Sequence, residues 1–343
     1  MKFLFLGAGA IGTYIGGALA LGGHDVSYIE QPGAAELLNE SGFSLTRSGV
    51  TEEILGLPVY GSASAALADG PFDVAVFAVK SFDTESAVRG LVDTGYEVPN
   101  ILTLQNGVDN ESILASVIGS DKVISGTVAS AISKPGSGTV IEEKHRGLGI
   151  AIGHPLSQAI VNALNDGGLS ARAYESAASM KWSKLLTNLT GNATSAILDM
   201  RVDELFANNS TYAIEVAVLK ECLAVMKSQG LKVVDLPGTP VRALALGAKL
   251  PRFIAQPLLT KFLGSGRGDK MPSFHIDLHA GRGQTEVTWL NGAVSRAGGT
   301  HGIPTPVNDV LTETLTELSS GKASIADFRH RPEKLTQLIS ARQ

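Results

Sequence analysis

Lys184, Asn188 and Asn192 recur at intervals of four in the stretch Lys181-Trp182-Ser183-Lys184-Leu185-Leu186-Thr187-Asn188-Leu189-Thr190-Gly191-Asn192. On a helix that spacing places all three on one face. Successive members then stand about 6 Å apart along the axis, so the row spans roughly 12 Å and can line a small polar substrate. The asparagines, threonines and glycine here are poor helix formers. A stretch that breaks local propensity while keeping its apolar positions, Leu185, Leu186 and Leu189, marks a functional site. A solvent face is the bland alternative, but such faces favour Lys, Glu and Gln over this composition.

Two further polar side chains stand at strand ends. Asp73-Val74-Ala75-Val76-Phe77-Ala78-Val79 reads as a buried parallel strand that stops at Lys80, and Ile101-Leu102-Thr103-Leu104 as another that stops at Gln105-Asn106-Gly107. In open α/β sheets, ligands bind just beyond the carboxyl ends of the strands. Lys80 and Asn106 therefore fall where cofactor and substrate should meet.

The element that must organise them opens the chain. Phe3-Leu4-Phe5-Leu6 is an uncharged apolar run, as expected of a strand buried on both faces. It ends at Gly7-Ala8-Gly9-Ala10-Ile11-Gly12, and the small apolar residues from there to Leu21 suit a helix packed closely on that strand. The three glycines serve a tight turn, backbone approach to a pyrophosphate, and close helix–strand contact. The helix N-terminus offers free N–H groups and a favourable dipole to the anion. With Val26-Ser27-Tyr28-Ile29 as the next strand, the context required of a dinucleotide-binding motif is met. Glu30, at the tip of that strand, suits hydrogen bonds from the adenosine ribose hydroxyls and would repel a 2′-phosphate. Gln31-Pro32-Gly33 holds no arginine for such a phosphate, so this end of the site favours NADH.

The remaining pattern assigns the chain to the α/β class with two domains. Residues 43–60 read as short strands or a hairpin. Residues 123–131 and 138–153 read as strands completing the sheet, with a turn at Lys134-Pro135-Gly136. A helix over 156–165 and a strand over 171–174 close a dinucleotide-binding domain, 1–175. From Ala177 the pattern is helical, giving a substrate domain over 176–343 with long periodic segments at 211–229 and 276–296. That order places the active site in a cleft between domains. Within 236–270, Pro237, Pro240, Pro251 and Pro257 predict short helices, and Gly264-Ser265-Gly266-Arg267-Gly268 a flexible link. The apolar run 236–262 makes a homodimer contact one candidate use of this segment.

At 343 residues, net charge −5 and no basic block, the chain suits neither nucleic acid nor an anionic membrane surface. A single cysteine, Cys222, rules out an intrachain disulfide and a thiolate metal cage, and its apolar surroundings suit a core residue. No apolar run approaches the ~20 residues that span a bilayer. Without a signal-peptide pattern at the N-terminus, the expected location is cytoplasmic.

Taken together, these motifs resemble the ketopantoate reductase (2-dehydropantoate 2-reductase) family along nearly the whole chain. The residues that carry the likeness are Gly7 to Gly12, Val79-Lys80, Gln105-Asn106-Gly107, Lys184 with Asn188 and Asn192, Pro272-Ser273 leading to Thr285-Glu286, and His301-Gly302-Ile303-Pro304-Thr305-Pro306. The resemblance implies a Rossmann-like N-terminal domain and an all-α C-terminal domain like that of 6-phosphogluconate dehydrogenase. It implies NAD(P)H-dependent reduction of 2-dehydropantoate in pantothenate and coenzyme A synthesis. Lys184 would be the catalytic acid, Asn188 and Asn192 would hold substrate, and Ser273 would meet its carboxylate. Lys80, Asn106 and Glu286 would contact cofactor or substrate, Glu286 either orienting Lys184 or accepting from a substrate hydroxyl. Elementary chemistry agrees, because an ammonium beside a carbonyl that receives hydride stabilises the oxyanion and can then donate a proton.

Three features depart from the family pattern or stand outside it. Many members carry an arginine for the NADPH phosphate where this chain has Glu30-Gln31, so family habit favours NADPH while the local residues favour NADH. The stretch from Asp277 to Glu286 is one residue longer than usual, through Gly281-Arg282-Gly283-Gln284. An added helical residue turns the downstream part of the helix by about 100° unless the glycines absorb it. His275 and His279 share a helix face, but Asp277 falls on another side, so no metal is expected. Two alternatives remain: reduction of a different 2-keto acid on the same scaffold, or a non-catalytic protein that senses a nicotinamide dinucleotide.

Overall fold

Alternating apolar side chains drive the first β-strand to face two ways. The structure, a computed structural model, describes residues 1–267 and 271–342. In β1 (Lys2–Leu6), Phe3 and Phe5 pack with Tyr14, Ile15, Tyr28 and Leu45. Leu4 and Leu6 face the other way, into a cluster with Ala75, Phe77, Val88 and Ile101. Burying each of these side chains contributes about 2 kcal/mol against the entropy of ordering the chain.

The other strands are β2 (Asp25–Ile29), β3 (Phe43–Arg47), β4 (Val50–Ile54), β5 (Val59–Tyr60), β6 (Val74–Phe77), β7 (Asn100–Thr103), β8 (Val123–Val128), β9 (Ala131–Gly136), β10 (Thr139–Lys144), β11 (Leu148–Ala151) and β12 (Ala171–Tyr174). Eight of them form one sheet in the order β12-β11-β8-β7-β6-β1-β2-β5. Neighbours are parallel except β8 and β11. From β1 the chain goes first to β2 on one side and later to β6 on the other, so the order reverses at β1. Leu6 aligns with Ile29 and with Phe77, so the carboxyl ends of all three strands are level. The crevice beyond such a reversal is where α/β sheets bind ligands.

The expectation that residues 123–131 and 138–153 complete this sheet holds for β8 and β11 but fails for β10, and β9 runs through the residues predicted as a turn. Those two join a second sheet, β4-β3-β10-β9. The β3–β4 hairpin leaves an edge that β10 fills in parallel, aligning Val140 with Leu45, and both side chains are fully buried. The turn lies at Ser137-Gly138, three residues later than Lys134-Pro135-Gly136 predicts, with Gly138 at φ +68°. Pro135 is tolerated within β9 because that strand is an edge and needs no N–H there.

By internal contacts the chain divides into two compact units. The first takes Met1–Gln105, Asp109–Lys181 and Leu236–Thr239, and the second takes Asn106–Val108, Trp182–Asp235 and Pro240–Gln343. The second is helical, with no strand among the described residues. Its long helix Asn209–Ser228 starts where the Asn208 side chain accepts from the Ser210 and Thr211 N–H groups. Cys222 lies fully buried in this helix, and burial pushes its thiol pKa up, as suits a core residue.

Two helical expectations are corrected here. Pro257 does not break its segment but sits inside the helix Arg252–Arg267, which also takes in Gly264–Arg267 of the predicted link; Gly268 lies outside the described residues. Pro257 falls near the helix start, where the loss of its N–H leaves a single carbonyl to be satisfied otherwise. The continuous pattern predicted over 276–296 is divided into the helix Ser273–His279, a 3₁₀ turn Glu286–Trp289 and the helix Asn291–His301. Gly281 and Gly283, at φ +66° and +69°, make that break. Among the described residues no helix is long and apolar enough to cross a membrane.

Candidate functional site

In the first unit the glycine turn has the features that a pyrophosphate requires. Gly7 adopts φ +92°, a conformation that side chains disfavour. A Cβ on Gly12 would stand 2.2 Å from the Gly7 carbonyl oxygen, so the helix can approach the turn only with glycine there. At Gly9 the same atom would meet nothing within 4 Å, which leaves the backbone open to an incoming group. Gly9 also begins the helix Ala10–Leu21, with no side chain capping it and no acid in its first turn. The first N–H groups of a helix have no intrahelical acceptor, and among the described residues no side chain caps this one. Ala10 and Ile11 occupy that first turn.

Charged groups are arranged around Ala8. The Glu30 carboxylate accepts the Ala8 N–H at 2.5 Å and the Gln31 N–H at 3.2 Å. On the other side, the Lys134 ammonium donates to the Ala8 carbonyl at 2.8 Å. Sequence reasoning missed Lys134, because its approach depends on β9 belonging to the second sheet. Lys80 follows β6, half-buried, and Val79 lies 3.6 Å from where a Cβ on Gly7 would be. The glycine turn and the end of β6 are thus neighbours, as the sheet order requires.

Lys181 is the other basic residue that the sequence did not single out. It is 4% exposed, donates to the Gln105 carbonyl at 2.7 Å, and stands 2.9 Å from the Glu111 carboxylate. A buried cation is tolerated when it is paired and hydrogen-bonded in this way. It holds the backbone one residue before Asn106. The available signal was position: Lys181 is four residues before Leu185, on the helix's apolar face.

In the second unit, the predicted single row of Lys184, Asn188 and Asn192 is corrected. Lys184 and Asn188 lie on the helix Ala177–Leu189, both half-buried, but Asn192 begins a separate helix, Asn192–Leu198. Gly191 makes the break at φ +65°, and its N–H donates to the buried Glu215 carboxylate at 2.6 Å. A Cβ at Gly191 would stand 2.9 Å from Val202. The i+8 spacing therefore does not run along one axis.

The separated members each pair with another residue that the sequence singled out on its own. Asn188 Nδ2 donates to Asn106 Oδ1 at 3.0 Å. Asn192, 5% exposed, accepts the Phe274 N–H at 3.1 Å, and its Nδ2 lies 3.4 Å from Ser273 Oγ. One carboxamide thus fixes the start of the helix that carries Ser273, whose side chain remains exposed. Glu286 is buried at the first position of the 3₁₀ turn, beside Thr285, whose buried hydroxyl has no hydrogen-bond partner among the described residues. Asp277 is buried and pairs with Arg282 at 2.9 Å.

Two family models match the chain. One, described as ketopantoate reductase PanE/ApbA, matches residues 3–154, and the other, ketopantoate reductase PanE/ApbA C terminal, matches residues 177–319. The 2-dehydropantoate 2-reductase of Archaeoglobus fulgidus is 28% identical over 92% of this chain and 97% of its own. That of Halobacterium salinarum is 26% identical over 92% and 98%. Among solved structures, a PanE/ApbA family ketopantoate reductase from Ralstonia eutropha superposes with a TM-score of 0.79 at 27% identity, over 94% of this chain and 99% of its own. D-mandelate dehydrogenase with NADH and anilino(oxo)acetate shares the fold, with a TM-score of 0.78 at 22% identity and the same coverage of both chains.

Proposed function

The chain belongs to the ketopantoate reductase family, and from that premise we propose that it reduces 2-dehydropantoate to pantoate, a step toward pantothenate and coenzyme A, in the cytoplasm. It is an oxidoreductase whose cofactor is a nicotinamide dinucleotide and whose substrate is a small keto acid. The open backbone at Gly9 and the uncapped helix start fit the pyrophosphate, with Gly7 to Gly12 as its cradle. When bound, the nicotinamide supplies the hydride for the keto carbon.

The chain's own residues supply the rest. Lys184 places an ammonium where the keto oxygen gains charge, lowers the cost of that charge, and then gives up a proton. Asn106 and Asn188, already hydrogen-bonded to each other, offer carboxamide groups to the substrate. Ser273 turns its hydroxyl to the carboxylate, held in place by Asn192. Glu286 takes a substrate hydroxyl or orients Lys184, and Lys80 contacts the cofactor. Lys181 acts through the backbone, by holding the carbonyl before Asn106. The fixed carboxylate of Glu30 at the ribose end favours NADH over NADPH.

The observation that carries this reading is the pairing of Asn192 with Ser273 and of Asn188 with Asn106, which joins residues singled out separately in the sequence. A cofactor-oxidation assay across 2-keto acids, with NADH and NADPH in parallel, tests it. The expected result is the highest kcat/KM with 2-dehydropantoate. A higher value with another 2-keto acid would move the assignment to that substrate. Tight dinucleotide binding with no oxidation by any of them would leave a sensing protein instead.

A further inference from the structure

His275 and His279 stand one turn apart on the helix Ser273–His279, their rings stacked with centroids 4.0 Å apart and 28° between planes. Their spacing alone provides two donors. The third comes from Asp199, at the C-terminal end of the helix Asn192–Leu198. His275 Nε2 lies 2.7 Å from Asp199 Oδ1, and His279 Nε2 lies 3.8 Å from the same oxygen. One ligand atom from each residue lies within 4.8 Å of the others. In tetrahedral zinc sites, bond lengths of about 2.0–2.2 Å put neighbouring donors roughly 3.4 Å apart. The two observed separations straddle that value.

The geometry points to a binding site for a divalent transition cation, formed by Asp199, His275 and His279, with zinc as the occupant that a two-imidazole, one-carboxylate set suits best. The backbone of Asp199 sits at φ +51°, a left-handed conformation that aspartate tolerates better than most residues, and this turns its carboxylate toward the two imidazoles. Its second oxygen, Oδ2, is 2.9 Å from Arg329 Nε. That contact leaves Oδ1 for the cation and fixes the carboxylate's orientation, the usual duty of an outer partner at a metal site. The Arg329 side chain is 62% exposed, so much of its charge is screened by solvent. A bound cation would tie together two helices whose opposite ends carry Asn192 and Ser273.

The test uses the full chain, treated with chelator and titrated with Co²⁺, whose visible absorption reports tetrahedral coordination. One saturating equivalent, displaced by Zn²⁺ and accompanied by a rise in Tm, is the expected result. His279→Ala, at an exposed position, should abolish the saturable signal. Asp199→Asn, which keeps a residue tolerant of the left-handed backbone, should weaken binding at least tenfold. Arg329→Gln should weaken it about tenfold, the scale of outer-partner losses. Absence of a saturable signal in the unmodified chain, or a signal that persists in His279→Ala, would show a plain His–Asp–Arg hydrogen-bonded cluster and overturn the site. None of these readouts depends on turnover, so failure here leaves the reductase assignment standing, and the reverse also holds.

Discussion

The glycine turn of the first unit and the Lys184–Asn192 stretch of the second each meet a ligand in the proposed reaction, but different parts of the chain determine their shapes. In the turn the backbone sets the geometry. Gly7 needs its positive φ, Gly12 cannot carry a Cβ beside the Gly7 carbonyl, and Gly9 faces open space. In the second stretch the functional groups are side chains, and their placement depends on residues far along the chain. Glu215 takes the Gly191 N–H, Val202 crowds Gly191, and Phe274 holds Asn192. A backbone-determined site appears in the sequence as a local motif. A side-chain site requires the tertiary contacts as well.

The largest effect should come from filling the turn. Gly12→Ala puts a methyl group 2.2 Å from a backbone oxygen that cannot rotate away. Overpacking of this kind costs about 3 kcal/mol. Thermal unfolding should show that loss, and an NADH titration should show binding abolished. Unchanged affinity would mean that the helix does not have to approach the turn so closely. Next comes Lys184→Ala, which should lower kcat about 10²-fold, the scale of a lost oxyanion donor, while leaving the dinucleotide Kd unchanged. Near-normal turnover would remove Lys184 from the chemistry.

A third experiment separates the two ways of reading the Lys184–Asn192 stretch. If it were one continuous helix, Gly191→Ala would stabilise it by about 1 kcal/mol through helix propensity. With Gly191 left-handed and Val202 close by, the same change should instead destabilise the protein by about 2 kcal/mol. The sign of the change in Tm therefore decides between an unbroken row and the observed break.

This contrast also marks how far the sequence could be read. The parallel core strands and the glycine turn were legible because uncharged apolar runs and motif spacing are local. The Asn192 helix start was not, because i+8 spacing says nothing about a left-handed residue between its members. Nor was the second sheet, since β10 pairs with a hairpin some 90 residues earlier, Thr139 aligning with Ser44, and β9 is added only through β10. Asp199 was overlooked for the same reason, being separated from His275 by 76 positions.

The smallest expected effect concerns Glu30, a side chain that shapes the backbone-determined site. Its carboxylate has two separable roles: it accepts the buried Ala8 N–H, and it carries a negative charge at the ribose end. Glu30→Gln keeps an acceptor oxygen and removes the charge, whereas Glu30→Ala removes both. If charge repels a 2′-phosphate, both variants should raise the NADPH-to-NADH ratio of kcat/KM about tenfold, or 1.4 kcal/mol. If the hydrogen bond supports the turn, the alanine variant alone should lose about 1 kcal/mol of stability as well, the usual cost of an unsatisfied buried N–H. A ratio unmoved in the glutamine variant would assign cofactor choice to other groups near Ala8, with the Lys134 ammonium at 2.8 Å from its carbonyl as the first to replace. A ratio that moves while Tm holds would show that even here specificity rests on a side chain, with the backbone providing only the cradle.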